Sequence, residues 1–246
     1  MSGSADDTLR LLRTSTHGPG GIGAVLCNAA AGVEATVAWF EPRYWIARGA
    51  AQGALPGRGL ITLFEHAGRR FVLRHYRRGG LVARVNADRF LWTSEMRSRP
   101  VREITLNLKL HAAGLPVPLP VAARYEREGL AYRADIITEY LPDTRSLATC
   151  MEEGEVGLQA WAAIGRCIRR FHDHGLCHAD LNAHNILLRG EEVLLVDFDR
   201  CSRRPPGLWR DANLARLRRS LDKLEDARAQ RRFDEAQWHC LLAAYF

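Results

Sequence analysis

Lysine is nearly absent from this chain. Of its 35 basic residues in 246, only Lys109 and Lys223 are lysines. A reaction that needs a cation beside a phosphate or carboxylate must therefore draw on arginine nearly everywhere in the sequence. Long apolar runs are missing too: no stretch approaches 18 consecutive hydrophobic residues, which excludes a membrane-spanning helix. The N-terminus, Met1-Ser2-Gly3-Ser4-Ala5-Asp6-Asp7, is acidic where a secretory leader is basic and then apolar, so a cytoplasmic location is expected. The six cysteines contain no C-x-x-C pair, which argues against a zinc ribbon or a disulfide framework. They are expected to act as small buried apolar residues. His172, His174, His178 and His184 lie close together, but no H-E-x-x-H pattern or cysteine at ligand spacing accompanies them. Repeats and low-complexity tracts are absent as well.

What remains is the composition of a globular protein, 47% hydrophobic and 26% charged. The chain is long enough for one large domain or two small lobes. Its formal charge of +7 comes almost entirely from arginine. The accompanying alanine and glycine bias is that of a GC-rich bacterial genome. A basic surface suits an anionic partner, whether nucleic acid, a phospholipid face or a phosphorylated glycolipid, and composition does not choose among them.

Residues 1–40 read as a strand-and-turn lead-in, and Pro42 marks a turn framed by Val37-Ala38-Trp39-Phe40 and Trp45-Ile46. Gly57-Arg58-Gly59 then precedes two strands, Leu60–Phe64 and Phe71–Tyr76, joined at Gly68. Arg77–Gly80 is a loop. Helical spacing of Val101, Ile104 and Leu108 predicts a helix from Val101 to Ala113, stopped by Gly114. Pro116, Pro118 and Pro120 make a stiff extended connection. Ile136-Ile137-Thr138 reads as a short strand leading to Glu139-Tyr140-Leu141-Pro142. Beyond it, Trp161, Ile164, Cys167, Ile168 and Phe171 share one helical face that ends at Gly175. Val193–Val196 is a buried-looking strand running into Asp197. The order predicts two lobes: residues 1–139, with glycine loop, strand pair and helix, and residues 140–246, helical and carrying the charged motifs.

The most informative run is His178-Ala179-Asp180-Leu181-Asn182-Ala183-His184-Asn185. Phosphoryl transfer needs a carboxylate near the acceptor hydroxyl and ligands for the magnesium that neutralises the phosphates. Asp180, followed five residues later by Asn185, lets one loop supply both. Asp197, at a strand end twelve residues further on, supplies a second oxygen ligand of the kind Mg²⁺ takes. Either Asp180 or Asn185 alone is also an ordinary turn former; the combined spacing carries the reading. His178 is expected to brace the loop. Gly18-Pro19-Gly20-Gly21-Ile22-Gly23 matches G-x-G-x-x-G by letter but reads as a plain turn. Gly57, Arg58 and Gly59 stand where a phosphate-covering loop belongs. A kinase-like site also wants a cation on the following strand, paired to a helix glutamate. Neither lysine is suitably placed, so Arg74 is the candidate cation and Glu103 its partner; a surface arginine on an edge strand is the alternative. Between Asp211 and Leu224, Leu214, Leu217, Leu221 and Leu224 form an apolar stripe ringed by Arg216, Arg218, Arg219 and Lys223. This fits a helix packed on the chain's own core, the commoner case, or one lying on an anionic membrane.

With these residues set out, the chain resembles the 3-deoxy-D-manno-octulosonic acid (Kdo) kinases of Gram-negative bacteria, a lipopolysaccharide kinase group of the protein-kinase-like superfamily. The resemblance runs from about residue 40 through Gly57-Arg58-Gly59, Leu73–Gly80, Gly114–Pro118, the His178–Asn185 run, Asp197-Phe198-Asp199-Arg200-Cys201 and Asn213–Leu217. It implies an α+β, two-lobed protein-kinase-like fold with a small β-rich N-terminal lobe and a compact helical C-terminal lobe. It also implies ATP and Mg²⁺ as cofactors and transfer to the 4-hydroxyl of a Kdo sugar on Kdo-lipid A, at the cytoplasmic face of the inner membrane. The site it implies comprises Asp180 as the catalytic carboxylate and Asn185 and Asp197 as metal ligands. Gly57, Arg58, Gly59, Arg74, Glu103 and Glu139 would serve the nucleotide. Kdo-lipid A and an anionic membrane surface are the expected partners, with neither nucleic acid nor an obligate protein partner. Relative to ordinary protein kinases, Arg74 replaces lysine, Asp199 replaces the last glycine of D-F-G, and A-P-E is missing. Only 49 residues follow Asp197, too few for a long activation segment and a full peptide-binding lobe. A small or lipid-linked hydroxyl acceptor is therefore expected. A heptose kinase, an antibiotic phosphotransferase and a non-catalytic kinase-like scaffold are the alternative readings.

Overall fold

Nineteen α-helices and β-strands are formed in a computed structural model that describes residues 10–18, 21–54, 61–77, 88–154, 156–226 and 233–246. In chain order they are β1 (Leu11–Gly18), β2 (Gly21–Asn28), α1 (Pro42–Ile46), β3 (Ala51–Ala54), β4 (Ile61–His66), β5 (Arg69–His75), β6 (Phe90–Leu91), α2 (Arg99–Ala112), β7 (Pro120–Glu128) and β8 (Ala131–Glu139). There follow β9 (Arg145–Ser146), α3 (Leu147–Glu153), α4 (Leu158–Asp173), β10 (Leu176–Cys177), β11 (Ile186–Arg189), β12 (Glu192–Leu195), β13 (Ser202–Arg203), α5 (Trp209–Asp226) and α6 (Glu235–Tyr245). Contacts divide the chain into two units, one of Met1–Ala112 with Pro118–Tyr140, the other of Ala113–Val117 with Leu141–Phe246. The short piece after Gly114, expected in the N-terminal lobe, groups with the second unit, where the Pro116 carbonyl accepts from the Leu195 N–H at 3.1 Å.

The first unit is built on one antiparallel sheet in the order β1-β2-β7-β8-β5-β4-β3, with β6 beside β8. Alternate residues of β2 serve different cores. Val25 and Cys27 join Phe64, Phe71, Leu73 and Ile137 under Trp39, Phe40 and Trp45, whereas Ala24 and Leu26 join Ala123, Tyr125 and Ile136 under α2. A sheet covered on both faces needs apolar residues in succession rather than alternation, and Ala24-Val25-Leu26-Cys27 is such a run. Trp45 stacks on Phe64 at 4.0 Å and donates its indole N–H to the Trp39 carbonyl at 2.8 Å. Val101, Ile104 and Leu108 fasten α2 to the sheet, and Gly114, at φ +70°, takes the left-handed turn after its end.

The lead-in, read as strand and turn, forms two antiparallel strands, β1 and β2, integrated into the sheet; of the G-x-G-x-x-G match, Gly18 ends β1 and Gly21–Gly23 lie in β2, a strand rather than a helix. One expectation needs correction. The strand around Ile136 is nine residues long, not three, and pairs with an equally long β7. Their polar positions interrupt the apolar pattern, and the charges that neutralise them are distant in sequence. Arg124 meets Asp135 at 2.8 Å and Glu41 at 2.8 Å, and His75 takes the other Asp135 oxygen at 2.7 Å. Burial raises the cost of such charges unless they are paired, as they are here.

The second unit packs around α4, whose buried stripe is Trp161, Ile164, Cys167, Ile168 and Phe171. Helix α6 crosses it so closely at Gly165 that an added Cβ would stand 2.1 Å from the Leu241 carbonyl oxygen. Helix α5 buries Leu214, Leu217 and Leu221, so its apolar stripe faces the protein's own core. Among the described residues no helix is long and apolar enough to cross a membrane.

Candidate active site

The loop from β10 to β11 carries the run singled out in the sequence. It is held from below by Leu181 and Ala183, 1% and 0% exposed. The Asn182 side-chain oxygen accepts from the N–H groups of His184 and Asn185 at 2.9 and 3.2 Å, which closes the turn. Asn185 is fully buried, and its amide nitrogen donates to the Asp180 carbonyl at 2.8 Å. Asp180 itself, 60% exposed, is the carboxylate presented to solvent.

His178 ties this loop to the strand that leads to Asp197. Its Nδ1 accepts from the Asp180 N–H at 3.2 Å, so the ring proton lies on Nε2, which donates to the Val196 carbonyl at 3.2 Å. Burial holds this imidazole below its ordinary pKa, consistent with a neutral brace. Phe198 packs against it at 5.4 Å and continues to Phe171 of α4 at 6.1 Å.

Asn185 and Asp197 flank adjacent ends of the β11–β12 hairpin. The Asn185 carbonyl accepts from the Val196 N–H at 3.1 Å, extending the ladder by one rung. Asp197 then turns to φ +66°, a conformation costing a non-glycine residue on the order of 1–2 kcal/mol. Strain of this kind gathers at functional sites. The donor set offered here, an amide oxygen and a carboxylate, is the hard oxygen chemistry that magnesium takes. The donor end of the Asn185 amide is committed to Asp180, so its oxygen end is the one a cation would use. Asp199 is 14% exposed, with the Arg200 guanidinium 3.9 Å away.

In the first unit, Arg74 lies on β5, an interior strand between β4 and β8 rather than an edge. Its Nη2 meets Glu103 Oε1 at 2.5 Å, and the second Glu103 oxygen accepts from the Tyr76 hydroxyl at 2.5 Å. Glu103 is 4% exposed, so this carboxylate is buried and satisfied by a cation and a hydroxyl together. Glu139 is engaged by Arg69, whose Nε and Nη2 reach one of its oxygens at 3.1 and 3.0 Å. Gly57, Arg58 and Gly59 lie outside the described residues.

Sequence reasoning missed the supports of the loop. Asn213 of α5 accepts the His178 N–H and donates to the His178 carbonyl, both at 3.0 Å. Ser220 accepts the Ala183 N–H at 3.2 Å, and the Cys201 sulfur accepts that of Ala179 at 3.2 Å. A polar Asn213 beside buried Leu214 in a helix interior was the available signal, because asparagine is a poor helix former unless its amide has work elsewhere. His172 completes the support. It accepts from the Tyr245 hydroxyl at 2.7 Å and faces Asn213 at 3.4 Å, and burial pushes its pKa down to about 4.

A family model described as the lipopolysaccharide kinase (Kdo/WaaP) family matches residues 43–245. A 3-deoxy-D-manno-octulosonic acid kinase of Actinobacillus succinogenes is 42% identical over 215 residues, 84% of this chain and 89% of that protein. One from Xylella fastidiosa is 47% identical over 192 residues, 77% of this chain and 76% of that protein. Among solved structures, WaaP in complex with acyl carrier protein matches with a TM-score of 0.50 at 20% identity, covering 82% of this chain and 84% of that one. That likeness shows the fold: an α+β, protein-kinase-like one.

Proposed function

The chain belongs to the lipopolysaccharide kinase (Kdo/WaaP) family, and on that premise we propose that it transfers the γ-phosphoryl group of ATP to the 4-hydroxyl of a Kdo residue on Kdo-lipid A. Membership makes it an ATP-dependent phosphotransferase acting on a hydroxyl group in lipopolysaccharide core biosynthesis. Asp180 orients the acceptor hydroxyl and takes its proton as the oxygen attacks phosphorus. Asn185 and Asp197 hold magnesium, which supplies charge neutralisation for the phosphate oxygens when bound. Arg74, kept in one rotamer by buried Glu103, binds ATP phosphate oxygens with a planar fork rather than a point charge. Gly57, Arg58, Gly59 and Glu139 complete the nucleotide-binding set. Since the acceptor is lipid-linked, the reaction belongs at the cytoplasmic face of the inner membrane.

The observation that carries this reading is the Asn185-to-Asp180 hydrogen bond of 2.8 Å, joined to the Val196 rung. It supports the reading because it joins Asp180, Asn185 and the residue before Asp197 through one braced loop and hairpin, and phosphoryl transfer by positioning depends on such bracing. The test offers labelled ATP with Kdo-lipid A, a heptose-bearing acceptor and an aminoglycoside in parallel. Phosphate at the 4-hydroxyl of Kdo is the expected product. Transfer to either competitor alone would sink the proposal.

A further inference from the structure

Helix α5 meets the catalytic loop at three points along one face. Asn213 clamps the backbone of His178, Ser220 holds the N–H of Ala183, and between them the Arg216 guanidinium approaches Asp180 Oδ1 at 4.0 Å. Positions 213, 216 and 220 follow the i, i+3, i+7 spacing of a single helical face. The two flanking contacts set the register of that face against the loop, so the place of Arg216 beside Asp180 is dictated by its neighbours.

Arg216 also differs from the arginines around it in how its donors are used. Arg218 is held by Asp222 and Glu235, and Arg210 donates to the His172 carbonyl. Among the described residues, the one ion pair of Arg216 is the 4.0 Å approach to Asp180, which is beyond hydrogen-bond distance. Its side chain is 48% exposed. A planar fork of donors left open beside the Asp180 carboxylate is suited to a second carboxylate, that of a bound ligand, which it grips at two oxygens.

We infer that Arg216 determines specificity by binding the carboxylate of the acceptor sugar while Asp180 takes its hydroxyl, an assignment that rests on the functional reading above. A 3-deoxy-octulosonic acid has its carboxylate on C2 and a hydroxyl on C4, with only the methylene C3 between them. Covalent geometry therefore keeps anion and hydroxyl close together, as Arg216 and Asp180 are close together. A neutral sugar places no anion there and gains nothing from the guanidinium.

A double-mutant cycle between enzyme and substrate tests this. Wild type and Arg216→Gln are each assayed with Kdo-lipid A and with the same lipid bearing its Kdo carboxylate as the amide. Amidation is expected to lower wild-type kcat/KM by about 10- to 100-fold, chiefly through acceptor KM, and that of Arg216→Gln by less than about 3-fold. KM for ATP stays at the wild-type value in both proteins. Arg216→Lys, keeping the charge without the fork, falls between. Equal amidation penalties in wild type and Arg216→Gln overturn the assignment and leave the kinase reading standing. A raised KM for ATP with acceptor KM unchanged also overturns it, because the guanidinium then serves the phosphoryl group. A wild-type protein inactive on both acceptors overturns the kinase reading and the assignment together.

Discussion

Nε2 of His178 donates to the carbonyl of Val196 at 3.2 Å, across eighteen residues of sequence. One buried, uncharged ring therefore fixes the distance between the loop bearing Asp180 and the strand leading to Asp197. Catalysis by positioning loses heavily when such distances relax by an ångström, so the brace matters although His178 is only 2% exposed and out of reach of solvent-borne substrate.

Asp180→Asn keeps the shape and the backbone bonds of the loop while removing the proposed base. Transfer to Kdo-lipid A should fall by about 10²- to 10⁴-fold, with ATP affinity near wild type. Steady-state kinetics and nucleotide titration measure both, and wild-type turnover would remove Asp180 from the catalytic role.

Arg74 and Glu103 act as a unit. Replacing Glu103 by glutamine removes the charge that holds the guanidinium, and Arg74→Lys removes the fork. Each should raise KM for ATP by roughly 10- to 100-fold and leave acceptor KM unchanged. An unchanged KM for ATP would assign the pair to the stability of the sheet alone.

The His172 imidazole titrates at about 4 when folded, against its ordinary 6.5 when unfolded, because burial disfavours its charged form. The unfolded chain therefore binds the extra proton first as pH falls. Stability is complete above pH about 6.5 and is lost progressively toward pH 4, by up to about 3 kcal/mol from this group. His178 acts in the same sense. His75, whose pKa is raised by Asp135, acts in the opposite one, its contribution fading as pH rises. Urea melts of wild type and His172→Gln at pH 7.5 and 5 isolate the effect: the variant should show a shallower loss on acidification. Parallel slopes would contradict the assignment.

Gly165 is where α4 and α6 touch backbone to backbone. A Cβ there would sit 2.1 Å from the Leu241 carbonyl oxygen and 3.2 Å from the Tyr245 nitrogen. Gly165→Ala should therefore destabilise the protein by about 1–3 kcal/mol, despite alanine's better helix propensity. Chemical denaturation checks this, and unchanged stability would mean that the two helices separate at no cost.

Some of this protein is written locally. The loop bearing Asp180 and Asn185, the strand leading to Asp197 and the buried stripe of α4 each lie within a short window, and spacing alone marks them. The β4–β5 hairpin is equally local, because Gly68 and the flanking apolar residues need no distant partner. The long β7 and β8 were illegible for the opposite reason. Arg124 and Asp135 interrupt the apolar pattern, and their partners Glu41 and His75 lie far off in sequence. Arg74 could be nominated by elimination, since lysine is so scarce. That it lies on an interior strand, bonded to Glu103, was decided by sheet order and by the docking of α2. What Asn213 and Arg216 face belongs to the tertiary structure. Nothing in the helix that carries them names the loop they face, and only the burial of Leu214, Leu217 and Leu221 turns that side of α5 toward Asp180.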